Sequence, residues 1–366
     1  MAKNYLTLAV AGARKTQGLV EHCKALAADR KVLLITFAQA NQIELRERVR
    51  RYAGDRPGLE VSGWFSFLLR HFVKPFVPFA FPGKRCRGFN FEGDPGRYAS
   101  GENRFFDSSD SVYAKELARL AHQLIGQSGG ALIQRLECLY DEILIDEVQD
   151  LSGYDWDILE ALFGTRIEIR LVGDVRQAVL STNPRGQMKK AFAYSKSIAW
   201  FKKQQKAGRL EINYSSVTWR CCQTIATFSD TIFEAIWEFP ETTSQNLAIT
   251  PHDGVFLVRK AHVRQYVETY QPQCLRNSIR SGTEFDLNYM NFGVSKGQTF
   301  NRVLIYPTEP IGKFISKGEY LVPLSAADFY VAVTRAEQSV AIVLDKPGGS
   351  QIPYWHPPNA DTPSAT

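Results

Sequence analysis

Glu142 to Asp150 read "EILIDEVQD", a short apolar run that ends abruptly in the acidic pair Asp146-Glu147. Apolar residues without polar alternation suit a strand buried on both faces, as in a parallel sheet. Open α/β sheets bind their ligands at the carboxyl ends of the strands, so the pair stands where a site is expected. In a nucleoside triphosphatase the first carboxylate holds Mg²⁺, directly or through water, and the second polarises the attacking water. The competing reading is that the two acids cap the helix that follows.

Working outward, the pattern repeats. "IEIRLVGDVRQ" ends about twenty-five residues later with Gly173 in a tight turn, Asp174 at the strand end and Gln177 within reach of a terminal phosphate. Further apolar runs are "YLTLAV", "KVLLITF", "GVFLVRK", "NRVLIYPT" and "VAIVLD". Between most of them lie segments with apolar residues at three- and four-residue spacing, such as "GLVEHCKALAADR", "ANQIELRERVRRYAG", "SVYAKELARLAHQLIG" and "YDWDILEALFG". Alternating strand and helix predicts an α/β fold, with parallel sheets and right-handed crossovers.

Directly behind "YLTLAV" stands "AGARKTQGLVEHC", residues 11–23, a Gly-containing turn feeding a helix. It resembles a phosphate loop in position, with Lys15 and Thr16 at its end. Counted back from Lys15, it is about two residues shorter than the standard loop, and Arg14 replaces the glycine before the lysine. In the second half, Arg220 precedes a helix in "TWRCCQTIATF" and Arg335 sits between helix and strand in "FYVAVTRAEQSVAIVLD". Guanidinium groups delivered from a neighbouring unit neutralise charge on a transferring phosphoryl group; isolated arginines more often form surface ion pairs.

The chain has 366 residues, 44% apolar and 22% charged, with a net charge of +6. That length fits two domains, and the mild basicity is compatible with a polyanionic partner. The six cysteines (Cys23, Cys86, Cys138, Cys221, Cys222, Cys274) form no C-x-x-C pair and read as reduced thiols of a cytoplasmic protein. No apolar stretch approaches the roughly 18 residues of a membrane span. Residues 73–111, rich in Pro, Gly, Arg and aromatics around "GKRCRGFNF", break the α/β rhythm as an insert or a surface loop, Arg85 and Arg87 being candidates for a nucleic-acid contact. A seam near "NPRGQMKKAFAYSKS" suggests a first domain over 1–190, with its insert at about 73–140, and a second over 191–345, while 346–366 read as a flexible tail.

Taken in order, these stretches resemble superfamily 1 helicases of the UvrD/Rep type: "AGARKT" is similar to Walker A, "LLITFAQANQIELRERV" to motif Ia, "GWFSFLLR" to Ib and "LIDEVQDLS" to II. "LVGDVRQAV" is similar to III, "TWRCCQTI" to IV, "NFGVSKGQTFNRVLI" to V and "FYVAVTRAE" to VI. The resemblance implies two RecA-like domains in tandem, with ATP and Mg²⁺ in the cleft and single-stranded DNA across both. It implies phosphate and nucleotide contacts from Gly12, Ala13, Arg14, Lys15, Thr16, Gln17 and Gly297, Mg²⁺ held by Thr16 and Asp146, and catalytic roles for Glu147, Gln177, Arg220 and Arg335. It places Thr36, Phe37, Trp64, Ser66, Phe67, Ser295 and Lys296 on the DNA; for Phe37, Trp64 and Phe67 core packing is the equal alternative.

The chain departs from the family in the short loop, in "AVLSTNPRG" where motif III carries aromatics, in Thr299 where motif V has a Glu, and in compact spacers between motifs. Two functions follow: a 3′ to 5′ DNA-dependent ATPase and helicase, or a catalytically weakened module that binds DNA and recruits or regulates a partner such as a nuclease. Small UvrD-like proteins often resemble components of DNA repair, recombination or phage-defence systems; nothing in the sequence selects such a pathway.

Overall fold

A computed structural model describes residues 3–37, 39–179 and 194–357. The apolar runs become strands: β1 (Tyr5–Ala9), β2 (Val32–Thr36), β3 (Leu59–Gly63), β4 (Gly88–Asn90), β5 (Ser111–Tyr113), β6 (Glu142–Ile145), β7 (Glu168–Gly173) and β8 (Glu211–Ser215). Then come β9 (Val217–Thr218), β10 (Thr243–Ser244), β11 (Gly254–Val258), β12 (Gln273–Arg276), β13 (Tyr289–Asn291), β14 (Phe300–Tyr306) and β15 (Ala336–Val343). One six-stranded sheet has the order β3-β2-β6-β7-β1-β8 and one five-stranded sheet the order β11-β15-β14-β12-β13. All their pairings are parallel. Two parallel, helix-covered sheets in series are the tandem RecA-like architecture that the motif order implied.

The central strands are covered on both faces, which is why they lack polar alternation: Leu33, Leu34, Ile35, Ile143, Leu144 and Ile145 are fully buried. The amphipathic segments form helices at Lys15–Ala25, Gln39–Ala53, Leu117–Gln127 and Asp155–Phe163, returning the chain so that every strand of the first sheet ends at the same edge. Loops after β1, β2, β6 and β7 therefore open side by side.

Three regions depart from the sequence reading. The first sheet takes its outer strand β8 from beyond the seam at residue 190, pairing it with β1 from Tyr5↔Glu211 to Ala9↔Ser215. The Pro- and aromatic-rich stretch is folded: a π-helical turn (Leu69–Val73) leads into the helix Lys74–Ala80, β4 pairs with β5, and Phe81 packs on Phe105 at 6.0 Å and on Phe106 at 6.3 Å. Phe105, Phe106 and Val112 belong to the core cluster that also holds Trp64 and Phe67, with Phe81 and Phe89 packed against it, so of the two readings the stretch is an insert joined to the main core and not a loose loop. The expected tail is ordered through residue 357: Trp355 is buried, and its amide donates to Leu257 O while Leu257 N donates to Pro353 O, extending the second sheet. The motif III continuation beyond Val179 and residues 358–366 lie outside the described residues.

Candidate nucleotide site

The loop after β1 is built from two left-handed residues, Gly12 at φ 76° and Arg14 at φ 56°. At Gly12 the space is as restrictive as the dihedral, for a Cβ there would come within 2.6 Å of Thr218 Oγ1. Arg14, with a side chain, bears a cost of about 1–2 kcal/mol for the same region. Its guanidinium lies 3.9 Å from the ring centre of Trp219, and the Trp219 amide donates to Gly12 O at 3.0 Å. Lys15 and Thr16 then open the helix Lys15–Ala25, whose N-terminus favours an anion.

β6 delivers the acids. Asp146 is buried; its Oδ2 accepts from Thr16 Oγ1 at 2.9 Å and its Oδ1 from the amide of Glu147 at 3.0 Å. Glu147 is itself left-handed, at φ 55°, which turns its carboxylate away from the strand axis and into the cleft. Gln149 Nε2 donates to Glu147 Oε2, while Gln149 Oε1 accepts from the amide of Asp174 at 3.0 Å. Gly173 is required for this contact, since a Cβ would meet Val148 Cγ1 at 2.8 Å. Thus motif II is clasped to the end of β7, and Gln177 follows one turn later with Nε2 donating to Asp174 Oδ2 at 2.8 Å.

The second sheet contributes cations. Arg335 is 1% exposed, and it donates to Val331 O at 3.0 Å, Gln298 O at 3.2 Å and, across the cleft, Gln177 Oε1 at 3.3 Å. Arg220 donates to Thr334 O at 3.1 Å. Among the described residues neither guanidinium pairs with a carboxylate. Lys296 crosses the cleft to Asp150, 2.8 and 2.9 Å from its two oxygens, and stands 3.8 Å from Glu147 Oε2.

These groups line one cavity of about 560 Å³. It holds Gly12 through Gln17, Asp146, Glu147, Gln177, Arg220, Gly297 and Arg335, bringing together the nucleotide residues expected from the motifs. Burial and the adjacent Glu147 push the Asp146 carboxyl well above its usual range. Burial acts the same way on Glu147, but Lys296 and Lys15 outweigh it and hold that carboxyl low, in its ionised form. Burial, with Arg220 close by, brings the Arg335 guanidinium down to about 9. Two converging cations held only by neutral acceptors favour a polyanion; a buried acidic pair opposite favours a dication. Thr16 and Asp146 offer oxygen donors already in contact, the hard ligand set that suits Mg²⁺.

The residues expected on DNA divide differently. Trp64 and Phe67 are core residues: both are buried, their rings lie 5.6 Å apart, and Trp64 Nε1 donates to Asp155 Oδ1 at 2.7 Å. Ser295 is buried with its hydroxyl donating to Phe292 O at 2.7 Å, and Thr36 is buried with no partner for its Oγ1 among the described residues. Lys296 faces the same cavity, drawn there by Asp150 and Glu147. Phe37 is half-buried on the cavity wall, and Ser66 alone of the set is exposed. In the insert, Arg85 is exposed, and Arg87 forms an ion pair of 3.7 Å with Asp110.

Sequence reasoning missed Gln149, Asp150, Trp219 and Tyr330. The first two were legible in principle, as polar residues in the turn that immediately follows the acids. Among the described residues no three His, Cys, Asp or Glu side chains cluster for a further metal, all six cysteines are free thiols, and no helix is long and apolar enough to cross a membrane.

Residues 102–181 match the family model of the UvrD/REP helicase N-terminal domain, a stretch that carries Asp146, Glu147, Asp174 and Gln177. Two solved structures are similar. The Arterivirus nonstructural protein 10 (helicase) is 14% identical with a TM-score of 0.45, over 93% of this chain and 59% of that one. Its complex with DNA is 16% identical with a TM-score of 0.46, over 93% and 61%. The chain thus spans about three fifths of the length of those helicases. Comparison with curated proteins gave no match.

Proposed function

We propose that this chain, with the acidic half of its cleft in a helicase-family stretch, is an ATP-driven translocase on single-stranded nucleic acid, with DNA as track and 3′ to 5′ polarity by resemblance. The observation that carries the reading is the meeting of Asp146 and Glu147 from one sheet with Arg220 and Arg335 from the other in one cavity.

Lys15 and the amides that open the helix Lys15–Ala25 receive the β-phosphate, and Thr16 with Asp146 would hold Mg²⁺. When bound, that ion neutralises charge shared between the β- and γ-phosphates. Glu147, kept ionised by Lys296 and Lys15, orients water and accepts its proton. Gln177, Arg220 and Arg335 surround the γ-phosphate, whose negative charge binds the two sheets together. Release of phosphate removes that shared anion, so each turnover loosens one sheet from the other, the elementary step of movement along a strand.

A second reading rests on Arg14, which puts a Cβ and a cation where a standard loop brings bare backbone to phosphate. On that reading the cleft binds nucleotide weakly, and the chain is a helicase-like module that recruits or regulates a partner. One measurement separates them: ATP hydrolysis by the purified protein with and without single-stranded DNA. The translocase hydrolyses ATP faster with DNA, and Glu147→Gln lowers turnover by about 10²–10⁴-fold. No ATP-dependent turnover in either condition, or equal turnover in Glu147→Gln, favours the module.

A further inference from the structure

The short loop raises a question of support, because it has fewer residues with which to hold its own shape. Inside the loop the Ala13 amide donates to Val10 O at 3.2 Å and the Lys15 ammonium to the same oxygen at 3.5 Å, and Thr16 reaches Asp146, but its other partners lie beyond residue 214. The Val10 amide donates to Ser215 O at 3.0 Å, the Trp219 amide donates to Gly12 O, and the Trp219 ring carries the Arg14 guanidinium. A further partner comes from the helix Pro323–Val333 of the second half. The Ala11 amide donates to Tyr330 Oη at 3.1 Å, and the same hydroxyl donates to Asp174 Oδ2 at 3.2 Å. Tyr330 is 1% exposed, so a lost bond there is not replaced by bulk water.

We propose that Tyr330 is a positioning residue that completes the shortened phosphate loop from the opposite sheet and ties its shape to the γ-phosphate groups. The tie can be followed atom by atom. Ala11 N–H meets Tyr330 Oη, Tyr330 O–H meets Asp174 Oδ2, Asp174 Oδ2 also accepts from Gln177 Nε2, and Gln177 Oε1 accepts from Arg335 Nη2. Arg335 lies five residues after Tyr330, just past the end of the same helix, so the circuit closes through one rigid element. A displacement of Arg335 on loss of phosphate is thereby delivered to the loop that holds the β-phosphate. The left-handed Arg14 fits this account, since such a conformation persists only where surroundings over-determine it.

The inference rests on the proposed nucleotide site, so its test includes a readout independent of nucleotide. Tyr330→Phe keeps the ring and removes the hydroxyl. In the nucleotide-free protein, amide hydrogen exchange at Ala11 accelerates by about tenfold or more in this variant, while exchange in β15 stays at the wild-type rate. With ATP, KM rises by about tenfold and kcat stays within about threefold. Trp219→Phe, which keeps an aromatic face for Arg14, retains near-wild-type exchange at Ala11, whereas Trp219→Ala accelerates it. Wild-type exchange at Ala11 in Tyr330→Phe overturns the proposal, as does faster exchange with unchanged KM. A wild-type protein that neither binds nor hydrolyses ATP overturns the proposed function, and the exchange result then decides the brace by itself.

Discussion

The nucleotide cleft and the expected nucleic-acid face were read from the same motifs, yet the structure treats them differently. In the cleft, residues from eight stretches of chain converge on one cavity. On the other face, Trp64, Phe67, Thr36 and Ser295 are buried, and Lys296 has turned to the nucleotide side. Charged groups at strand ends cannot be absorbed into a core, so their position announces a site. Aromatics and hydroxyls serve a core as readily as a ligand, so the same residue types carry no such announcement.

The sharpest way to break the contrast is on the cleft side. Arg335→Ala removes a cation whose hydrogen-bond partners among the described residues are all neutral, and turnover at saturating ATP falls by about 10³-fold or more. Steady-state hydrolysis measures it; a loss below about tenfold would mean that Arg335 serves the fold alone.

On the other face the expected effect is on stability. Trp64→Ala leaves a cavity between Phe37 and Phe67 and removes the hydrogen bond from Trp64 Nε1 to Asp155 Oδ1, costing about 3–5 kcal/mol in denaturant unfolding. A variant of wild-type stability whose affinity for single-stranded DNA drops would return Trp64 to a stacking role.

His71, 5.6 Å from Phe67 in the same core, sharpens the comparison through pH. Burial, assisted by Arg135, lowers its imidazole from 6.5 to about 4. The unfolded chain therefore binds a proton between about pH 6.5 and pH 4 that the folded chain refuses, so stability rises with pH across that window and is lost as pH falls through it. His252, lowered to about 4 by burial and then by Arg302, acts in the same direction in the second sheet. Urea melts of His71→Gln at several pH values would show a shallower acid loss than wild type; an unchanged slope rules out His71 as its source.

The smallest effect concerns Lys296. With its ammonium on Asp150, Lys296→Met lowers kcat by several-fold and leaves the salt dependence of DNA binding unchanged, whereas a phosphate-contacting lysine would reduce the salt slope by about one.

Much of the fold was legible because it follows from hydrophobic periodicity: continuous apolar runs became parallel strands, and three-and-four spacing became the helices between them. The candidate site was legible as a set of motifs, and Asp146, Glu147, Gln177, Arg220 and Arg335, far apart along the chain, line one cavity. What escaped was set by tertiary contact. β8, "EINYS", alternates weakly and is a strand because β1 needs a partner. The stretch at 73–111 reads as an insert or a surface loop because its Pro and Gly interrupt every period, while what folds it onto the main core is aromatic contact between residues distant in sequence. Tyr330 sits in an apolar helix, and nothing in "FYVAV" says that its hydroxyl reaches the loop after β1.

The pairing of β8 with β1 bears on how this molecule can be taken apart. Severed at residue 190, the leading fragment would surrender the strand beside the one that carries the phosphate loop, leaving β1 as a raw edge open to aggregation. The two halves are interlaced, not beads on a string. A split version of this protein, or a graft of either half onto another chain, must carry residues 211–215 with the front piece to keep it soluble and shaped.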